Sequence, residues 1–329
     1  ITAALTSGTG GTLTRVVSSQ SVAITATVAN GVATFSNLYM RGLTNHNYQL
    51  TFSSGSLTSA VSNNFTVNHA AVASMVWNTQ PTVGMTGSPL TRAAVLELQD
   101  MDGNIATSDS TTVVTAVVTS GVGGSLTQAT ATANQGVVTF TNLVLTGTPG
   151  VTYKLTFTGV IGSSSVAAPE SDGLTPVHAV PAKVTTRGGN VVGALSGQDL
   201  ASQPSLYVRD RFNNIATSDN TTVVTASILN DVTGSVSGNV TATAVNGVVT
   251  FAGLKVSGTP GTDYTLRYAA DWSGTTLTSA TSNLFHVSKV ADVTLSYATQ
   301  DYVPNAVVPA VFNTDSPGGI TFTTNASAL

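Results

Sequence analysis

IATSDSTTVVTA, residues 105–116, returns 110 positions later as IATSDNTTVVTA, residues 215–226. Two shorter stretches recur with a displacement of 111: GVVTF at 136–140 and 247–251, and GTPG at 147–150 and 258–261. The later half of the same unit appears a third time near the start, as GVATFSNL at 31–38 and NYQLTF at 47–52, against TYKLTF at 152–157 and DYTLRY at 263–268. A fixed period of this size marks a tandem array in which each unit buries its own core. It divides the chain into the later part of a repeat at 1–69, complete repeats at 70–178 and 179–288, and the opening of a further repeat at 289–329.

Within 70–178 the apolar runs are short, rich in Val, Thr and Ala, and punctuated by Gly, Asn, Asp, Pro and Ser, which is how strands and turns read. Strands are expected near 72–78, 90–99, 111–119, 125–132, 136–145, 152–159 and 174–178. No stretch keeps a 3.6-residue period long enough for a helix. Seven short strands in a unit of this length fit an all-β, immunoglobulin-like sandwich.

Each copy also sets a tyrosine two residues before a leucine: Tyr48 and Leu50, Tyr153 and Leu155, Tyr264 and Leu266. An Ig sandwich has a corner tyrosine at that offset from a core residue of its penultimate strand, so a corner is expected here, with an ordinary cross-strand aromatic as the alternative. The sequence LELQDMDGNIATS, its counterpart YVRDRFNNIATS, and GVxTFxxL followed by GxxYxLxF together resemble bacterial Ig-like domains. The pattern is similar to the invasin and intimin superfamily and to the long arrays of large bacterial surface proteins. That resemblance implies adhesin, stalk or coat roles and brings no shared catalytic residues with it.

Composition narrows the possible roles. Charged residues are only 8% of the chain, against roughly 25% in an average soluble protein. The four lysines and the scattered arginines form no basic stripe along the sequence, so nucleic acid is not an expected partner. The absence of cysteine excludes disulfides, thiolate metal sites and a cysteine nucleophile. No apolar run reaches the ~20 residues of a membrane helix, and no signal-peptide pattern opens the chain, so any export signal or anchor is expected outside these residues. The Thr-rich, Lys-poor composition is typical of secreted prokaryotic surface proteins and places the expected location outside the cell.

Few residues form a candidate site. Asp100, Asp102 and Asn104, with Asp109 close by, put oxygens at alternate positions where calcium could bind. The twelve-residue calcium loop is incomplete, however, and the next repeat has Asp210, Asn213, Asn214 and Asp219, which lose the alternation. A plain Asx turn is the stronger reading. His69 and His178 fall at equivalent repeat ends and suggest junction packing, whereas His46 and His286 have no counterparts. No Ser, His and acid grouping recurs, and Glu97 and Glu170 do not repeat, so neither nucleophilic catalysis nor a glycosidase carboxylate pair is expected. Sequons at Asn64, Asn220, Asn239 and Asn325 match chance in so Asn- and Thr-rich a chain, and Trp77 and Trp272 do not occupy the Ig core position.

Two accounts fit the phase of the repeats. The chain is a stretch of a longer array, or residues 289–329 complete the open repeat at 1–69 of another copy, giving head-to-tail self-association into a filament or lattice. The expected function is structural, as a spacer, filament or surface-layer segment. The alternative is an adhesin module that binds a carbohydrate or protein through its loops, with Tyr207, Arg209, Arg211 and Phe212 as the nearest candidates.

Overall fold

The computed structural model describes residues 1–188, 191–192, 194–229 and 233–289. All regular elements among them are β-strands, and the fold is an Ig-like sandwich. The chain divides into one unit over 1–177 and a second from His178 onward. The partial repeat expected at 289–329, except Lys289, and the sequon at Asn325 lie outside the described residues.

Alternation of apolar and polar residues places each strand. Along Ala94–Gln99 the residues Ala94, Leu96 and Leu98 are buried while their neighbours are only half-covered, and Leu155 and Phe157 do the same in Lys154–Ile161. A strand with one face on the core requires this two-residue period. One antiparallel sheet of the repeat at 70–177 runs Val137–Phe140, Ala94–Gln99, Ser74–Thr79. A second runs Thr130–Thr132, Val113–Ser120, Lys154–Ile161, Ser164–Ala167, and a third, shorter one runs Ser88–Pro89, Val144–Thr146, Ser125–Thr127. Leu96, Val114, Val138, Leu143, Leu145, Tyr153 and Phe157 are fully buried in the shared core. Burying one such side chain stabilises the fold by roughly 1.5–3 kcal/mol, the main driving force in a protein without cross-links.

Three of the expected strands differ: 125–132 breaks into Ser125–Thr127 and Thr130–Thr132, and 136–145 into Val137–Phe140 and Val144–Thr146, the two pieces of each entering different sheets. The last strand is Ser164–Ala167, not 174–178, and the later segment contributes only bridges from Leu174 to Tyr153 and from Val177 to Met85. Ser164–Ala167 carries little apolar signal because it is an edge strand whose side chains stay largely in solvent. In the second unit the equivalent strand, Thr275–Thr281, is longer and touches Pro181–Thr186 through a parallel bridge at Thr278 and Lys183. A seven-stranded sheet results, in the order Thr241–Thr243, Val223–Ile228, Leu266–Trp272, Thr275–Thr281, Pro181–Thr186, Ser205–Asp210, Val248–Thr250.

Residues 1–66 hold only the later strands of a repeat. Thr2–Ser7, Gln49–Ser53 and Ala60–Val61 form one sheet, and Gln20–Val22, Thr12–Val17 and Leu38–Arg41 another. Phe35, Leu50 and Phe52 correspond to Phe140, Leu155 and Phe157, but they are half-covered where their counterparts are buried. The strands that cover those counterparts, Ser74–Thr79 and Ala94–Gln99, have no equivalent in 1–66.

The corner tyrosine is present in all three copies. The Tyr48 hydroxyl donates to the Leu43 carbonyl at 3.0 Å. The Thr148 N–H donates to the Tyr153 hydroxyl and the Thr259 N–H to that of Tyr264, each at 2.8 Å. Glycines let the ring lie flat against the backbone: a Cβ at Gly147 would stand 2.6 Å from the Tyr153 ring, and one at Gly258 2.5 Å from that of Tyr264.

Candidate functional site

Asp100 ends the strand Ala94–Gln99 and organises the turn after it. The Asp100 N–H donates to the Asn104 carbonyl, and the Gly103 N–H donates back to the Asp100 carbonyl. Gly103 has φ +82°, and its counterpart Asn213 has φ +71°. Gly and Asn are the residues that accept left-handed backbone most readily, so MDGN and RFNN build the same turn from different letters.

The Asp100 carboxylate is surrounded by N–H donors. Oδ1 accepts from the Asp102 and Asn104 backbone N–H groups at 2.9 Å, Oδ2 accepts from the Ala70 N–H at 2.8 Å, and the Asn104 amide reaches both oxygens. Burial pushes this carboxyl up, but the hydrogen bonds from Asn104, Ala70 and Asp102 outweigh it and hold the pKa at about 2. Asp210 repeats the arrangement, accepting from the N–H groups of Phe212, Asn214 and Ala179 and from the Asn214 amide. The loss of alternate spacing read between the two repeats is therefore not a loss of the turn.

These residues also join consecutive repeats within 1–177. Asn104 Oδ1 accepts from the Thr44 N–H at 2.8 Å, and its Nδ2 donates to the Gly42 carbonyl at 3.0 Å. Asp102 pairs with Arg41 through Nε and Nη2. His69 seals the joint: the Ser108 N–H donates to its Nε2 at 3.1 Å, so Nδ1 carries the proton and donates to the Ala70 carbonyl at 2.8 Å. His178 makes the same two bonds, with Ser218 and Ala179. His46 is exposed, and His286 pairs with Asp263 on a neighbouring strand.

Asp109 lies in the loop before the next strand, Val113–Ser120. Burial pushes its carboxyl up, but the Thr112 hydroxyl at 2.6 Å and the Thr111 and Thr112 N–H groups hold it below the usual range. Among the described residues no three His, Asp or Glu side chains are grouped as metal ligands. A cation at Asp100 would have to displace N–H donors from lone pairs already in use.

The remaining candidates separate. Tyr207 and Arg209 lie on the outer face of the strand Ser205–Asp210, not in a loop, and Arg187, just past the adjacent strand Pro181–Thr186, joins them. Arg211 stands over the exposed Phe212 ring, 4.6 Å from its centroid. Arginines that are scattered in sequence thus meet in space, which register brings about and spacing does not reveal. Trp77 packs edge-on to Phe157, with ring centroids 5.1 Å apart, and donates to the Pro169 carbonyl. Trp272 lies partly buried against the core of the second unit. The sequon residues Asn64, Asn220 and Asn239 are exposed.

No family model matches the chain, and no curated protein does. Among solved structures it is similar to invasin, a bacterial integrin-binding protein, at 14% identity and a TM-score of 0.33, covering 88% of this chain and 53% of that one. It is similar to the FN1–FN3 domains of chicken CNTN1 at 11% identity and a TM-score of 0.32, covering 64% and 68%. A β-glycosidase from Bacteroides vulgatus aligns at 14% identity with a TM-score of 0.24, over 64% of this chain and 25% of that one. The chain spans about half of the invasin structure and a quarter of the glycosidase. No helix among the described residues is long and apolar enough to cross a membrane.

Proposed function

We propose that the chain is a structural segment of an extracellular bacterial surface protein: consecutive Ig-like repeats, bounded at 1–69, 70–178, 179–288 and 289–329, that serve as a stalk, filament or surface-layer element without catalysis. The observation that carries this reading is the use made of the best polar constellation. Asn104 and Asp102 bond Gly42, Thr44 and Arg41 of the preceding repeat, His69 accepts from Ser108 of the next, and Asp100 is saturated by N–H groups of Ala70 and of its own turn; within the second unit Asp210 and His178 make the same bonds to Ala179 and Ser218. A carboxylate saturated by backbone N–H groups is a fixed structural element and a poor general base.

Electron microscopy of the native material, paired with intact mass, tests the proposal. Rods or ordered fibres with one density per repeat are the expected result. Isolated round particles would overturn it. Self-association is part of the reading, because a surface with few charges and many Thr and Ser hydroxyls suits lateral packing of strands. Calcium is not part of it, so a chelator should leave the melting temperature unchanged; a drop would return Asp100, Asp102 and Asn104 to consideration as ligands.

A second reading, an adhesin module, is favoured by one observation, the Arg and Tyr cluster on the outer face of the second unit.

A further inference from the structure

The outer face of the strands Pro181–Thr186, Ser205–Asp210 and Val248–Thr250 carries Lys183, Thr185, Ser205, Tyr207, Arg209 and Thr250, with Arg187 just beyond the first strand. No acidic side chain points outward from these strands, since Asp210 is fully buried. Three of the eleven Lys and Arg residues of the whole chain thus share one sheet face. The same face of the preceding repeat is different in charge. There Asn78 and Gln99 both donate to Glu97, which occupies the place of Tyr207, and Ser74 occupies the place of Lys183.

Two features distinguish this face from incidental surface charge. Lys183 stands directly opposite Arg209 across the ladder, a like-charge pair that destabilises a sheet. The guanidinium groups of Arg187 and Arg209 lie 5.5 and 4.9 Å from the centroid of Tyr207 and are held in place. Arg187 Nε donates to the Tyr207 hydroxyl, and Arg209 donates to the Thr185 hydroxyl and the Asn213 carbonyl. The Arg187 Nη groups, one Nη of Arg209 and the Lys183 ammonium have no acceptor among the described residues. The two guanidinium groups are thus oriented before any anion arrives, and a bound anion would offset the repulsion among the three cations.

We propose that this face binds an anionic polysaccharide, one bearing carboxylate or sulfate groups. Lys183 and Arg187 are four residues apart on an extended chain, about 13 Å, and Arg209 stands opposite Lys183 on the neighbouring strand, so the three cations form a patch broad enough to meet more than one anionic group of a polymer. The Ser205 and Thr250 hydroxyls beside them match the hydroxyls of a sugar chain. A peptide would bring a main chain, and a sheet face whose ladder is already satisfied offers it no partners. The guanidinium groups stacked on Tyr207 leave little ring surface for a nucleic-acid base. The inference deepens the adhesin reading and is independent of the spacer reading, which the microscopy tests alone.

Calorimetric titration of the full chain with dextran sulfate, polygalacturonate, neutral dextran and poly-L-glutamate tests it. Saturable binding of a charged polysaccharide is expected, falling as salt rises, with no binding of neutral dextran. A variant carrying the preceding repeat's residues, Lys183→Ser, Arg187→Asn and Arg209→Gln, is expected to bind at least about tenfold more weakly, and loss of each cation to lower the salt slope by roughly one. Without ligand the same variant is expected to melt cooperatively near the parent's temperature, because relief of the like-charge pair offsets the lost Arg contacts, which also shows that it folds. Failure of both charged polysaccharides to bind, undiminished binding by the variant, or equal or tighter binding of poly-L-glutamate would overturn the proposal.

Discussion

The repeats at 70–177 and from His178 onward share a turn, a corner tyrosine and an order of strands, but they fill one end of the core differently. In the first, Trp77 packs on Phe157 and its indole N–H reaches Pro169. In the second, those positions hold Thr186 and Tyr268. There a cavity of about 100 Å³ opens, lined by Thr186, Gln203, Ser205, Tyr268, Ser282 and Asn283. Burial alone pushes the Tyr268 hydroxyl above its ordinary value, and it has no protein hydrogen bond among the described residues. The lesson is that a β-sandwich keeps its topology through a few fixed positions and can exchange a packed aromatic for a polar hollow at its margin.

The largest effect is expected at the aromatic pair of the first repeat. Phe157→Ala should cost about 3–5 kcal/mol, because the buried ring contacts Trp77 and Phe140 at once. Tyr268→Phe should be close to neutral, since the hydroxyl it removes is unpartnered. Hydrogen exchange followed by mass spectrometry on the full chain separates the two units and checks both.

Next in size is the turn. Asp100→Ala strands the N–H groups of Ala70, Asp102 and Asn104 and should cost about 2–3 kcal/mol, read from denaturant melts. The corresponding pH dependence is smaller. The folded pKa of Asp100, about 2, lies below its ordinary 3.8, so the stabilisation is complete above that ordinary value and is lost as pH falls through about 2. The loss amounts to roughly 2 kcal/mol, and Asp100→Asn should flatten the acid limb of a stability profile taken from pH 5 downward.

Tyr153→Phe should cost about 1–2 kcal/mol, because the Thr148 N–H loses its acceptor. A comparable loss at Tyr264→Phe would show that the corner is equivalent in both repeats. The smallest effect is expected at the exposed pair: Arg41→Gln should leave the melting temperature of the full chain unchanged within error while Asn104→Ala lowers it.

Much of the fold was legible in the sequence, because strands and turns are local. The Val and Thr runs, the punctuation around 100–104 and 210–214, and the recurring Tyr-x-Leu carried it. The edge strand Ser164–Ala167 was missed because a strand with little burial leaves little apolar pattern. The Asp100 cluster was visible as a group of polar residues, yet its partners Gly42 and Thr44 lie some sixty positions away and have no distinctive chemistry of their own.

The sequence by itself determined the period, the all-β architecture, the reliance on packing without disulfides, and the corner tyrosine in each copy, since all of these rest on short-range spacing or composition. Tertiary structure alone decided which polar residues join repeats, which core end stays hollow, and where the sparse cations gather. Cross-strand register sets those outcomes: it places Lys183 opposite Arg209 and Thr185 opposite Tyr207, residues separated by more than twenty positions along the chain.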